Sequence, residues 1–147
     1  CHAVTTSTDW YPTLLDLAGL PLLPEQHVDG VTLAPLLRGE AERLEREAIF
    51  WHYPHYGNQG GTPGCSVRCG DFKLIEFFED GRLELYNLRE DVSEAHNVAR
   101  EYPSLTAELH ERLVAWRNGL DACLPQANPA WRGGHPGEKP GSAGEGS

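Results

Sequence analysis

Residues 50–61 read FWHYPHYGNQGG and hold four aromatics, two histidines and three glycines in twelve positions, with no carboxylate and no cysteine. His52 and His55 could bind a metal, but a structural or catalytic metal centre takes three or four His, Cys, Asp or Glu ligands. The segment offers no third. Acid–base catalysis by either imidazole would need a pKa near neutrality and a partner to orient the ring. None is visible in the stretch. Pro54 lies between the two histidines, which disfavours a regular helix presenting both on one face. In extended chain, positions three apart point to opposite faces, unless Pro54 turns the backbone and brings both rings to one mouth. Two readings follow. The stretch is a strand end packed with aromatics, its histidines hydrogen-bonded locally. Alternatively it is a ligand wall, where rings and amides meet a polar substrate and glycines allow close backbone approach.

Elsewhere the chain lacks a recognisable catalytic pattern. It contains no Gly-x-Ser-x-Gly, no phosphate-cradling loop before a helix and no His-Glu-x-x-His. The run REDVSE at 89–94 lacks the alternating carboxylates and the glycine of a calcium loop. It is expected to be a solvated turn, with Asp91 and Ser93 bonding local amides. Arg68 and Lys73 could meet an anion, but on adjacent hairpin strands they are expected to be surface or structural groups. The cysteines are Cys1, Cys65, Cys69 and Cys123. In extended chain Cys65 and Cys69 face the same side at about 13 Å, beyond disulfide reach. Free, half-buried thiols are expected. No catalytic residue and no metal ligand is assigned to this chain.

The elements that must position these side chains are short. STDWYPTLLDLAGL at 7–20 predicts a helix capped by Ser7 or Thr8, with Asp9 at its positive end and Gly19 at its stop. Its apolar stripe would be Trp10, Leu14, Leu17 and Ala18. A loop at 21–30, a helical turn in LAPLLRG and an exposed charged run at 40–47 follow. The middle changes period: 48–53, 65–69, 72–78 and 82–88 predict four strands joined by glycine-bearing turns. A second helix at 103–121 repeats Leu105, Leu109, Leu113, Trp116 and Leu120 on one face. The fold class is α+β: a small four-stranded antiparallel sheet packed against a C-terminal helix. From Pro125 the chain has too few apolar residues to offset ordering entropy, predicting an extended or disordered tail.

The chain has 147 residues, enough for one core-bearing domain, and a formal net charge of −10. That charge argues against nucleic acid, whose phosphates need a basic face, and against an anionic membrane surface. No apolar run approaches the length of a bilayer span. The chain opens on CHAVTTSTDW and contains no methionine, so it is expected to be a piece of a longer protein.

In order, STDWYPTLLDLAGLP, DGVTLAPLLRG, IFWHYPHYGNQGG, SVRCGDFKLIEFFEDGRLELYNLREDVSEAHNVA and LHERLVAWR resemble the C-terminal end of arylsulfatase-type sulfatases, from about residue 4 to about 131. The resemblance implies a parent of the alkaline-phosphatase-like superfamily that hydrolyses sulfate esters. In such enzymes a Cys or Ser within Cys/Ser-x-Pro-x-Arg becomes formylglycine, and a calcium ion stabilises the sulfate charge. Neither is supplied here: no cysteine of this chain is followed by Pro-x-Arg, so this chain alone is expected to be inactive. Residues 1–47 would then end the main α/β domain, 48–124 form the C-terminal subdomain, and 125–147 the tail. The helix at 7–20 and its loop would pack on the missing domain, exposing their apolar stripe without it. The HYPHY segment would lie on the rim of the active-site cleft. His52 and His55, with Asn58 and Gln59 beside them, would contact the organic part of the ester. The expected partners are a sulfate-ester substrate, carbohydrate or aryl, and the missing N-terminal domain. The implied location is periplasmic or secreted. A phosphonate or phosphate monoester hydrolase, or a free-standing glycan-binding module, are the alternatives.

Overall fold

The computed structural model describes residues 1–58, 60–126 and 128–130. The expected tail therefore lies largely outside the described residues, as does Gln59. The chain divides into two units between Glu47 and Ala48.

In the first unit, a 3₁₀ turn Ser7–Asp9 leads into helix α1, Trp10–Leu17, and a short helix α2 spans Ala34–Leu37. The cap is Thr6 rather than Ser7 or Thr8, because Asp9 reaches back to accept the Thr6 N–H at 2.8 Å. The helix is shorter than 7–20. It stops where Gly19 turns left-handed at φ +69°, a conformation that costs glycine little. Its inward face is polar: Asp9 and Thr13 are fully buried beside Pro12. The Thr13 hydroxyl donates to the Asp9 carbonyl at 2.6 Å and accepts the Leu33 N–H at 2.8 Å. The Asp9 carboxylate accepts the Val31 N–H at 3.0 Å. Loop 30–33 is thereby laced onto the helix start. Gly30 is required there, since a Cβ would sit 2.2 Å from the Thr8 carbonyl oxygen.

The charged run 40–47 is not uniformly exposed. Arg46 folds back to hold Asp9 with two hydrogen bonds, at 2.7 and 3.0 Å, and the Val4 carbonyl at 2.8 Å. Burial alone would raise the Asp9 carboxyl, but the Arg46 guanidinium and the Val31 and Thr6 amides outweigh it and hold its pKa below the usual value. The expected stripe points away from this network: Trp10, Leu14 and Leu17 are 57%, 61% and 48% exposed.

The second unit is a meander of strands β1 (Ala48–Tyr53), β2 (Gly64–Cys69), β3 (Phe72–Phe77) and β4 (Leu83–Asn87), in sheet order β1-β2-β3-β4, all antiparallel. Helix α3, Pro103–Gly119, covers one face. Period-2 alternation sends Cys65, Val67, Leu74 and Leu85 toward Leu109 and Leu113 of α3, and these six form the buried core. Phe50 stacks on Trp116 with ring centroids 4.8 Å apart and planes at 8°. The predicted stripe holds through Trp116 and fails at Leu120, which lies past the helix end and is 60% exposed. All four cysteines are free.

The segment after β4 is tied back to that strand. Val98 donates its N–H to Leu85 O at 2.8 Å, and the Asn97 side chain accepts the Leu85 and Ala99 N–H groups. As expected of the acidic run, Asp91 is bound locally: it accepts the His96 N–H and the Ser93 hydroxyl, both at 2.8 Å. No helix among the described residues is long and apolar enough to cross a membrane.

Candidate substrate-facing loop

The loop between β1 and β2 grows from a strand whose two faces differ. His52 shares the α3-facing side with Ala48 and Phe50, since its cross-strand partner is buried Cys65. Its Nε2 donates to the Cys123 carbonyl at 2.8 Å, and its ring lies tilted against Phe78 with centroids 5.6 Å apart. Its Nδ1 is buried with no hydrogen-bond partner among the described residues. His52 thus ties the chain beyond α3 to the foot of the loop.

Pro54 does not bring the second imidazole to the first. His55 packs edge-on against Tyr53, at 5.6 Å and 84°, and Tyr53 projects from the sheet face opposite His52. His55 and Asn58 are exposed. The loop itself is braced. Gly57 donates its N–H to Gly61 O at 2.8 Å, Gly60 donates to Gly57 O at 3.1 Å, and Phe78 donates to Pro63 O at 3.0 Å. The Tyr56 hydroxyl donates to Glu79 at 2.7 Å, and that carboxylate raises the phenol pKa. Among the described residues, what this yields chemically is a braced turn carrying an accessible imidazole, His55, and an accessible amide, Asn58. Binding is within its means.

Residues that sequence reasoning missed lie beneath the loop. Glu76 on β3 accepts from Arg117 of α3 at 2.7 Å, and His110 Nε2 stands 3.5 Å from the same oxygen. The Arg117 guanidinium also lies 5.4 Å from the Phe78 ring centroid. Burial pushes the Cys65 thiol pKa up, so that sulfur is a packing group rather than a thiolate nucleophile. The one available signal was that Glu76 falls on the apolar side of β3, where a carboxylate demands a cation. Lys73 pairs with Glu94 at 2.7 Å, the structural role expected of it. Among the described residues no three His, Cys, Asp or Glu side chains are placed to hold a metal ion.

Residues 1–119 match the family described as N-sulphoglucosamine sulphohydrolase, C-terminal. A sulfatase from Formosa agariphila is 36% identical over 121 residues, covering 74% of this chain and 22% of that protein. A Delta 4,5-hexuronate-2-O-sulfatase from Bacteroides thetaiotaomicron is 31% identical, covering 92% of this chain and 29% of that protein. A structure solved in complex with its substrate D-glucosamine-2-N,6-O-disulfate superposes with TM-score 0.63 at 29% identity, over 77% of this chain and 24% of the other. This chain spans 22–29% of the length of those two relatives. With a match over most of its length, the chain belongs to the C-terminal family of the N-sulphoglucosamine sulphohydrolase type of sulfatases.

Proposed function

We propose that this chain is the C-terminal part of an enzyme hydrolysing sulfate esters, and that it supplies a wall of the substrate cleft rather than the reacting groups. The observation that carries this reading is the family match over residues 1–119, shared with relatives named for sulfated sugars. Their names, with that of the human arylsulfatase K, support a sulfated carbohydrate or aryl sulfate as the ester.

The reacting groups belong outside this chain. A formylglycine precursor needs Cys/Ser-x-Pro-x-Arg, and no such motif occurs in the sequence. The described carboxylates and imidazoles do not converge on a metal site, so they do not fit the family's cation, expected to be calcium. When present in the parent, those groups supply the nucleophile and the charge neutralisation. The residues of this chain bind and orient. His55 and Asn58 face the organic part of the ester; Gln59, the next residue in sequence, lies outside the described residues. His52 acts from behind His55 and Asn58 as a positioning residue, its bond to the Cys123 carbonyl fixing the foot of the loop. The outward apolar face of α1 supports the further reading that the first unit completes a larger α/β domain.

The test is kinetic. In the full-length enzyme His55→Ala and His52→Ala should lower kcat/KM on the physiological ester while formylglycine formation, read by mass spectrometry, stays complete. Normal efficiency in both variants would sink the rim assignment. This chain alone should show no turnover of an aryl sulfate.

A further inference from the structure

The sheet has a second face that α3 does not cover. Cross-strand rows place Trp51, Ser66, Ile75 and Glu84 together on it, flanked by Tyr53, Gly64 and Phe77 on one side and Arg68, Lys73 and Tyr86 on the other. A groove of about 150 Å³ lies in this face, its lining including Trp51, Tyr53, Thr62, Ser66, Lys73 and Phe77. Its origin is Gly64. That residue sits between Tyr53 and Phe77 in the row, and a Cβ there would press to 2.9 Å of the Glu76 carbonyl oxygen. The missing side chain leaves a gap walled by two rings.

We propose that this face is a second carbohydrate subsite, which takes a non-scissile pyranose of a sulfated glycan against Trp51 and Tyr53 and a sulfate at Arg68. It rests on the sulfated-carbohydrate reading above. The lining favours this occupant over a protein. Trp51 and Tyr53 are 41% and 54% exposed, giving flat apolar faces for the C–H side of a sugar ring. The Thr62 and Ser66 hydroxyls and Lys73 interrupt the apolar surface where a protein core would want none. Charge complementarity selects an anionic sugar. Arg68 and Lys73 are direct cross-strand partners in a chain of net charge −10. Two cations facing each other across a strand pair repel. Glu94 relieves Lys73, whereas among the described residues the Arg68 guanidinium meets no carboxylate and its Nε donates to the Gly70 carbonyl at 3.4 Å. A sulfate oxygen would satisfy Arg68. The groove also continues into the loop, because Tyr53 touches both it and His55.

The experiment compares two substrates in the full-length enzyme: a sulfated tetrasaccharide and a small aryl sulfate with no second sugar. For Trp51→Ala the ratio of their kcat/KM values should fall about tenfold, through KM for the tetrasaccharide, the size expected for one lost aromatic contact. Arg68→Ala should lower the same ratio severalfold, and Trp51→Phe should keep most of it. Should Trp51→Ala fail to fold, Arg68→Ala and Trp51→Phe carry the test. An unchanged ratio overturns the subsite. So does an equal loss on both substrates, the result expected if another part of the enzyme covers this face. Calorimetry with the tetrasaccharide and its desulfated counterpart separates the two proposals. Sulfate-dependent binding lost in Arg68→Ala, without cleavage of either substrate by the wild type, leaves the subsite standing and sinks the hydrolase reading. Cleavage of both substrates with an unchanged ratio does the reverse.

Discussion

Helices α1 and α3 present opposite faces to their own units. Helix α3 buries Leu109 and Leu113 against the sheet and leaves glutamates such as Glu108 and Glu111 on its far side. Helix α1 buries Asp9, Pro12 and Thr13 and turns Trp10, Leu14 and Leu17 outward. The sequences of both helices carry an apolar stripe. Among the described residues only one stripe finds a surface to cover it. Hydrophobic burial is worth about 1.5–3 kcal/mol per large side chain, so an α-helix that forgoes it must be held by something else. For α1 that is a polar lock: Asp9, Thr13 and Arg46 satisfy backbone groups of Thr6, Val31, Leu33 and Val4. Under the proposal that the first unit completes a larger domain, this bare stripe is the surface that would meet it.

Substitutions can break or sharpen this contrast. The largest effect should come from Asp9→Ala, which leaves the largely buried Arg46 guanidinium without its carboxylate and should cost about 3–5 kcal/mol, measured as loss of hydrogen-exchange protection in residues 10–17. Leu113→Ala empties the centre of the other core and should cost about 2–5 kcal/mol by urea unfolding. It should leave α1 protection unchanged. Leu14→Ala comes last: in this chain it should move stability by less than about 0.5 kcal/mol. In the full-length enzyme the same change should cost about 2–5 kcal/mol if the stripe is covered there. Equal, small effects in both would mean the face is not an interface.

A pH series sharpens the same comparison. The folded-state pKa of Asp9 lies below its ordinary value, so its ion pair stabilises the first unit at neutral pH. That contribution should be lost as pH falls from about 4 through the depressed folded value. Protection of residues 10–17 should therefore drop in acid, and drop much less in Asp9→Asn, which has no proton to gain. Equal acid sensitivity in both would assign the loss to another carboxylate.

Local pattern carried much of the fold into view. Repeats at four, four and three residues placed Leu105, Leu109, Leu113 and Trp116 on one face of α3, because a helix returns to the same side every 3.6 residues. Short β-branched and aromatic runs around Gly70 and Gly81 announced the hairpins, and both glycines have positive φ in the structure, +57° and +70°. The period of two in AIFWHY also separates Phe50 and His52 from Trp51 and Tyr53, although the groove on the second face went unread. That groove needs Gly64 and Phe77 from other strands beside Tyr53. Nothing local to β1 signals them.

By itself, then, the sequence determined the element types, the α3 stripe and the family, all of which depend on near neighbours or on motif order. Tertiary structure alone decided which residues share a site. His52 meets the Cys123 carbonyl across 71 positions, Arg117 meets Glu76 across 41, and Arg46 meets Asp9 across 37. No periodicity spans such distances. A buried charge or ring nitrogen states only that it needs a partner, and folding chooses which one.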